Sequence, residues 1–462
     1  MDGMRSFVRG VLASALAFVA TVASATLSID NFQAADLVRY PVVILRGMAQ
    51  GPEMAVGTSW PAAIRFPVVN HRYTAIVELK PGANMLLLHS GSESLKFRLD
   101  YRPMTGPYKV ATVFVMSSDG TERYDSSIPN DRFAIRDKLN VAMKLLQSFT
   151  ADAMQRAGYG RKTFALDFDD QGRVKVQFLR SPNTTAELQS LDPNSIFNHI
   201  CGVLNNAFKG DVVKCCGLLG FAAFDPATKK NLGHIALGGG SQALFGAGSM
   251  QYWPATFKAL PKVFQDASFV DGAKAFEDSG NRHTVWANVS TAYGAMLHEL
   301  GHTFGLPHSP DRFSIMSRGF DYFSRSLTTV EAPLPDSKTP VAFGPEELAK
   351  WDPFFAARLA STAWFQPDGD KGAEFESKDK PTVRFDGDDV IVEAPYGIRV
   401  VGAESETVPA WFAEYKEENP PKQAKYSRKE IRGKMQDTKS TYRIVVVDAH
   451  GLQADIEDKV GE

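Results

Sequence analysis

The chain has 462 residues, of which 44% are hydrophobic and 23% are charged, and its formal net charge is −2 at pH 7. This length allows two or three domains with real hydrophobic cores. The nearly neutral charge gives no reason to expect nucleic acid, an anionic surface or a charged polymer as a partner.

Residues 1–25 have the pattern of a secretory signal peptide. Arg5 and Arg9 precede a short apolar run, which ends at the small residues Ala23-Ser24-Ala25. This pattern predicts cleavage between Ala25 and Thr26 and a secreted, extracellular protein. A permanent membrane anchor is the alternative, but it would need about 20 apolar residues. No later segment is apolar enough for a stable membrane span.

Residues 26–106 are predicted to form an amino-terminal β-sandwich-like domain, because short apolar runs such as "VVILRG" and "MLLLHS" alternate with Gly, Pro and Asn clusters. A second domain is predicted over residues 107–365. It opens with a strand in "YKVATVFVM", a helix from Phe133 to Gly158, and strands in "KTFALDF" and "VKVQFL". The sequence therefore predicts an all-β segment followed by a mixed sheet with long helices.

The three cysteines, Cys201, Cys215 and Cys216, are too few for a disulfide framework. Cys201 could pair with one of the adjacent two; we interpret the cysteines as structural or buried.

The glycine-rich stretch 231–250 contains no GxGxxG or P-loop pattern, so it predicts no nucleotide site.

The segment "HELGHTFGLPHS", residues 298–309, concentrates three histidines and one glutamate. On a helix, His298, Glu299 and His302 share one face, so two imidazoles can converge on a zinc ion with the carboxylate beside them. A straight helix would carry His308 too far along its axis. Gly305 can adopt positive φ, end the helix and return the chain so that His308 becomes the third ligand. We predict that this helix begins at Ser290 or Thr291, both good N-caps.

The pattern HExxHxxGxxH resembles the metzincin clan of zinc metallopeptidases, in which a methionine-containing turn follows. The resemblance implies one Zn²⁺ per chain bound by His298, His302 and His308, with Glu299 as the general base. It also implies that Met316 in "SIMSRG" is the Met-turn residue. The wider layout is similar to a family of eukaryotic metallopeptidases with β-rich flanking domains.

Two further residues are candidates for the site, the first of them from the resemblance. Tyr322 is a candidate oxyanion helper, although its spacing departs from the clan pattern, and Asp311 is a candidate partner of a metal ligand. The clan also binds extended substrates along a sheet-edge strand, for which residues 231–250 are the candidate.

The carboxy-terminal part begins with "GPEELAKWDPFFAARLASTAWF", which predicts a helix from Gly344-Pro345 that is interrupted at Pro353. Residues 366–381 are charged and poor in large apolar residues, as in a linker. Residues 382–462 are predicted to form a β-rich domain. This domain could bind a protein or glycan that the sequence does not identify.

The sequence thus predicts an α+β or α/β fold: a metzincin-like catalytic domain between two all-β domains. The predicted function is that of a secreted zinc-dependent metalloendopeptidase acting on a peptide or protein. One alternative is a catalytically weak zinc-binding protein for adhesion or carbohydrate, against which the intact Glu299 argues. The other is a metal-dependent hydrolase of a non-peptide bond, which would usually draw its ligands from scattered strands.

Overall fold

The computed structural model describes residues 26–59, 62–128, 130–366, 379–435 and 441–458. The predicted signal peptide and most of the predicted linker lie outside these ranges. Within them, no helix combines the length and the apolar character needed to cross a membrane. The architecture is mixed α/β, as predicted.

Residues 37–101 form a seven-stranded sheet. Its strands follow the hydrogen-bonded order β1-β7-β6-β3-β4-β5-β2 and are antiparallel except for β1 beside β7. The strands are β1 Leu37–Val38, β2 Val42–Met48, β3 Glu53–Gly57, β4 Ile64–Val69, β5 Arg72–Glu78, β6 Gly82–Ser90 and β7 Glu93–Tyr101.

The central sheet has six strands, in the order β10-β8-β11-β15-β14 with β9 beside β8. All of them are parallel except β14, which runs antiparallel to β15 and ends the sheet. The strands are β8 Lys109–Met116, β9 Ala165–Leu166, β10 Val176–Arg180, β11 Val213–Leu219, β14 Ala236–Gly239 and β15 Gln242–Gly246; β12 Ala223–Asp225 and β13 Lys230–Leu232 form a separate hairpin. The predicted strands at β8 and β10 are confirmed.

The helices are α1 Ile135–Arg156, α2 Thr185–Ser190, α3 Pro193–Ala207, α4 Leu260–Val263, α5 Val285–Thr303, α6 Pro353–Ser361 and α7 Arg428–Met435. Short 3-10 segments lie at Asp131–Phe133, Ala247–Tyr252, Phe257–Ala259, Arg318–Ser326, Pro345–Glu347 and Ala363–Phe365. The long helix predicted between Phe133 and Gly158 is confirmed as α1.

The prediction of a helix from Gly344-Pro345 interrupted at Pro353 is wrong. Pro353 is the first residue of α6, and the Asp352 side chain caps the helix by accepting a hydrogen bond from the Phe354 backbone N–H at 3.0 Å. Proline suits this position because the first helical N–H has no intrahelical partner. The preceding Pro345–Glu347 segment is a single 3-10 turn.

Two antiparallel sheets make up the carboxy-terminal part, in the orders β16-β17-β20 and β19-β18-β21-β22. Their strands are β16 Thr382–Asp386, β17 Asp389–Glu393, β18 Ile398–Glu404, β19 Trp411–Glu414, β20 Gln423–Ser427, β21 Tyr442–Asp448 and β22 Gln453–Asp458. These strands and α7 enclose an apolar cluster of their own.

The largest apolar core joins the amino-terminal sheet, α1, α5 and α6, and it reaches Val400 and Val445 of the carboxy-terminal strands. A second core lies between the central sheet and α2 and α3. Cys201, Cys215 and Cys216 have free thiols, and the latter two are buried. The domain limits proposed from the sequence stay predictions.

Candidate metal centre

The helix α5 carries His298, Glu299 and His302, and it begins earlier than predicted. Thr284 caps it by accepting a hydrogen bond from the Ala287 N–H at 3.4 Å. Ser290 and Thr291, the predicted N-caps, are buried within the helix, and both donate to Asp321 at 2.8 Å. The prediction was wrong because α5 is buried on nearly every side, so its first turns show no polar face that would mark a helix start.

The chain turns at Gly305, which has φ 81° as predicted. The last helical residue is Thr303, and the Leu306 N–H reaches back to the Gly301 carbonyl at 3.3 Å. This 6→1 bond is typical of a helix that ends in a left-handed residue. The turn brings His308 back beside the two helical histidines.

The three imidazoles meet at one point. One ligand nitrogen from each of His298, His302 and His308 lies within 4.8 Å of the other two. The ring centroids are 4.7 to 5.2 Å apart, and the Nε2 atoms of His298 and His302 are separated by 3.1 Å. His298 is buried, whereas the side chain of His308 is 52% exposed.

Backbone carbonyl oxygens fix the tautomers of the two helical histidines. Nδ1 of His298 lies 2.7 Å from the Ile315 oxygen, and Nδ1 of His302 lies 2.8 Å from the Leu306 oxygen. Because a carbonyl oxygen only accepts, Nδ1 carries the proton in both rings and Nε2 keeps its lone pair. Burial also lowers the pKa of His298 to about 4 and that of His302 below its ordinary value, so both rings are neutral at pH 7.

This donor set fits a zinc ion. Two Zn–N bonds of about 2.0–2.1 Å at a tetrahedral angle hold their nitrogens about 3.3–3.4 Å apart, close to the separation of the two Nε2 atoms. Two lone pairs that face each other repel unless a cation lies between them. Neutral imidazoles with Nδ1 bonded to an acceptor are the form in which histidine binds zinc.

Glu299 lies beside the histidines on α5 and is 7% exposed. Burial raises the pKa of its carboxyl to about 8. The edge strand β14 passes directly against its backbone: a Cβ on Gly238 would lie 2.1 Å from the Glu299 carbonyl oxygen. Only glycine allows β14 to approach the helix this closely.

Met316 is fully buried next to the face of α5 that carries His298 and His302. Its thioether lies against Gly301, the residue before His302, and its carbonyl accepts from the Ser309 N–H at 2.8 Å. The methionine thus links the helix to the chain that follows His308.

The other two predicted residues have partners elsewhere. The Tyr322 hydroxyl accepts from Arg312 at 2.8 Å, and its ring packs on Phe313. Asp311 accepts from the Phe313 N–H and pairs with Lys350 at 2.8 Å. Their contacts stabilise the loop after His308, and among the described contacts none joins them to a histidine.

The sequence analysis missed one group that contacts the histidine cluster. Nδ1 of His308 lies 3.2 Å from a carboxylate oxygen of Glu406, in the loop that follows β18. No sequence pattern connects two residues so far apart in the chain.

Two curated proteins that are named as zinc metalloproteinases are similar to this chain in sequence. The chain is 31% identical over 281 residues to "Putative zinc metalloproteinase C607.06c" of Schizosaccharomyces pombe, covering 56% of this chain and 45% of that protein. It is 26% identical over 354 residues to "Putative zinc metalloproteinase YIL108W" of Saccharomyces cerevisiae, covering 67% and 50%. The chain therefore spans about half the length of the curated relatives it matches.

A solved structure also matches: wild-type OgpA from Akkermansia muciniphila, with 17% identity, 78% of this chain and 95% of that chain covered, and a TM-score of 0.47. The family model Metallopep, described as "Putative peptidase family", matches residues 26–399, which is most of the chain. The protein therefore belongs to this peptidase family.

Proposed function

We propose that the protein is a zinc-dependent endopeptidase of the metzincin type, with one zinc ion per chain. The observation that carries the proposal is the pair of Nε2 lone pairs of His298 and His302, which face each other at 3.1 Å while both Nδ1 atoms donate to carbonyl oxygens. The names of the relatives support zinc as the ion and a peptide bond as the target.

In this proposal His298, His302 and His308 hold the ion. Zinc, when bound, supplies a Lewis acid that polarises the scissile carbonyl and makes water easier to deprotonate. Glu299 accepts a proton from the attacking water and then passes it to the leaving amine. Its position supports this role, because Glu299 follows His298 directly on α5 and lies within one turn of His302.

The substrate proposed is an extended peptide that adds to the open edge of β14. This strand ends the central sheet, and Gly238 brings it against the backbone of Glu299. A peptide paired with the edge would therefore pass next to the general base, with its backbone held by main-chain hydrogen bonds.

We assign Met316 as the Met-turn residue, which is supported by its buried contact with Gly301. Tyr322 stays a candidate for contact with the oxyanion. Its hydroxyl would first have to leave Arg312, because that hydrogen bond now occupies it.

The test is hydrolysis of an unfolded protein by the full chain, with zinc content measured by elemental analysis. We expect Glu299→Gln to slow cleavage by about 100- to 10,000-fold without loss of zinc, and a chelator to abolish cleavage. Glu418→Gln, which changes an exposed glutamate of the carboxy-terminal part, is the matched control and should leave the rate unchanged.

Two results would contradict the proposal. Cleavage that survives both the chelator and Glu299→Gln would mean that hydrolysis does not depend on this site. One zinc per chain with no cleavage by the unmodified protein would favour a zinc-binding protein for adhesion or carbohydrate instead.

A further inference from the structure

The three metal-binding imidazoles differ in what holds their outer nitrogen. His298 and His302 donate to carbonyl oxygens of Ile315 and Leu306, which belong to the loop after α5. His308 instead faces the carboxylate of Glu406, with Nδ1 and Oε1 3.2 Å apart. Among the described contacts, His308 is the one histidine of the three that pairs with a side chain of the carboxy-terminal part.

The segment that contains Glu406 also contacts the turn before His308 a second time, through Glu404 and Arg358. Glu404, the last residue of β18, pairs with Arg358 of α6 at 2.7 Å, and both side chains are at least 97% buried. Arg358 also donates to the Gly305 carbonyl at 2.7 Å and to Gln453 at 3.0 Å. The carboxy-terminal strands thus fix the backbone of the turn through Arg358.

We propose that Glu406 is a positioning residue of the metal centre and that the carboxy-terminal strands complete this centre. In this arrangement the carboxylate takes the Nδ1–H of His308, and Nε2 is the nitrogen left to bind the metal. A carboxylate on the outer nitrogen also makes the imidazole a stronger metal ligand. This proposal rests on the zinc site proposed above.

The exposure of His308 and Glu406 determines whether the contact between them should affect folding stability or zinc affinity. The side chains of His308 and Glu406 are 52% and 65% exposed, and an exposed ion pair contributes little to folding. A hydrogen bond that fixes a metal ligand, in contrast, changes metal affinity by about 10- to 100-fold. We therefore expect the loss in zinc affinity, near the lower end of that range, and not in the stability of the metal-free protein.

The experiment compares the full-length wild-type chain with Glu406→Ala, Glu406→Gln and the exposed control Glu418→Ala. Zinc dissociation constants are measured by competition with a chelator of known affinity, and the metal-free proteins are unfolded with urea. We expect Glu406→Ala to weaken zinc binding about tenfold with an unchanged urea midpoint. Glu406→Gln should recover most of the affinity because its amide oxygen still accepts from Nδ1, and Glu418→Ala should match the wild type.

The absorption spectrum of the Co²⁺-loaded protein gives a second readout, because it reports the geometry of the ligands. Glu406→Ala should alter this spectrum, whereas Glu418→Ala should not. The proposal is overturned if Glu406→Ala keeps its zinc dissociation constant within about twofold of the wild type, or if its affinity falls only together with its urea midpoint. A wild-type chain that binds no zinc would overturn the proposed function as well; a zinc-binding, active wild type with an unaffected Glu406→Ala would overturn this inference alone.

Discussion

The amino-terminal sheet and the carboxy-terminal strands are each attached to a helix by an arginine–carboxylate pair. On one side, Arg46 of β2 binds both oxygens of Asp152 on α1, at 2.5 and 3.0 Å. On the other side, Arg358 of α6 pairs with Glu404 of β18 at 2.7 Å and also holds the carbonyl of Gly305. Beyond its carboxylate, Arg46 reaches the Ser326 carbonyl at 2.9 Å, whereas Arg358 reaches the turn that precedes His308.

Other polar contacts follow the same division. The amino-terminal sheet reaches α1 again through Glu78, which pairs with Lys144, and through the Val42 carbonyl, which accepts from Ser148. The carboxy-terminal strands reach His308 itself. Two β segments that look alike in sequence therefore have different consequences, because among the described contacts it is the carboxy-terminal part that pairs with His308.

The largest effect is expected from Glu404→Ala. The change leaves Arg358 and Arg443 without their shared carboxylate, and an unpaired buried charge costs about 3–5 kcal/mol. We expect urea unfolding to show this loss in the metal-free protein, together with weaker zinc binding under folding conditions. An unchanged zinc dissociation constant would show that the turn at Gly305 keeps its shape without the Arg358–Glu404 pair.

Asp152→Asn makes the corresponding change on the amino-terminal side. Arg46 and Arg156 lose their partner, but the side chain of Arg46 is 23% exposed, so we expect a smaller loss of about 3 kcal/mol in the free energy of unfolding. Zinc affinity of the folded variant should equal that of the wild type. The control is Asp137→Asn, an exposed residue of the same helix, for which the change should stay within about 1 kcal/mol. Weaker zinc binding by Asp152→Asn would break the comparison.

The sequence predicts those parts of the site whose interactions join residues that lie close together in the chain. The ligand spacing and the turn at Gly305 are set within eleven positions, and the structure brings the three histidines together as the spacing predicts. The strands β8 and β10 and the helix α1 are also continuous segments, so short-range patterns are enough to find them.

The remaining features depend on tertiary packing. The start of α5 was misplaced because the helix is buried on nearly all sides and its sequence shows no periodicity. Glu406 could not be found because it lies in a polar loop far along the chain from His308, and its contact exists only once β18 packs against α6. A charged residue in such a loop is by itself more typical of a solvated surface.

The smallest expected effect is on the pH dependence of the free energy of unfolding, and it tests the carboxy-terminal strands. Burial alone would raise the pKa of Asp458, but hydrogen bonds from Arg428, Arg432 and Tyr442 hold it well below its usual range. A carboxyl with a depressed pKa in the folded state stabilises the protein above the pKa of the unfolded chain, about 3.9, and this contribution is lost as pH falls toward the lower folded value. Relative to Asp458→Asn, the wild type should therefore be more stable by on the order of 2 kcal/mol at pH 7, and by progressively less below about pH 4.

The same pH series on an Asp152→Asn background decides whether the two flanks act independently. Asp152 lies on α1 and Asp458 on β22, with no partner in common among the described contacts. Substitutions without shared partners usually add within about 0.5 kcal/mol. We expect the free energies of unfolding of the two single variants to predict that of the double variant. A larger discrepancy would mean that the amino-terminal sheet and the carboxy-terminal strands are energetically coupled through the core they share.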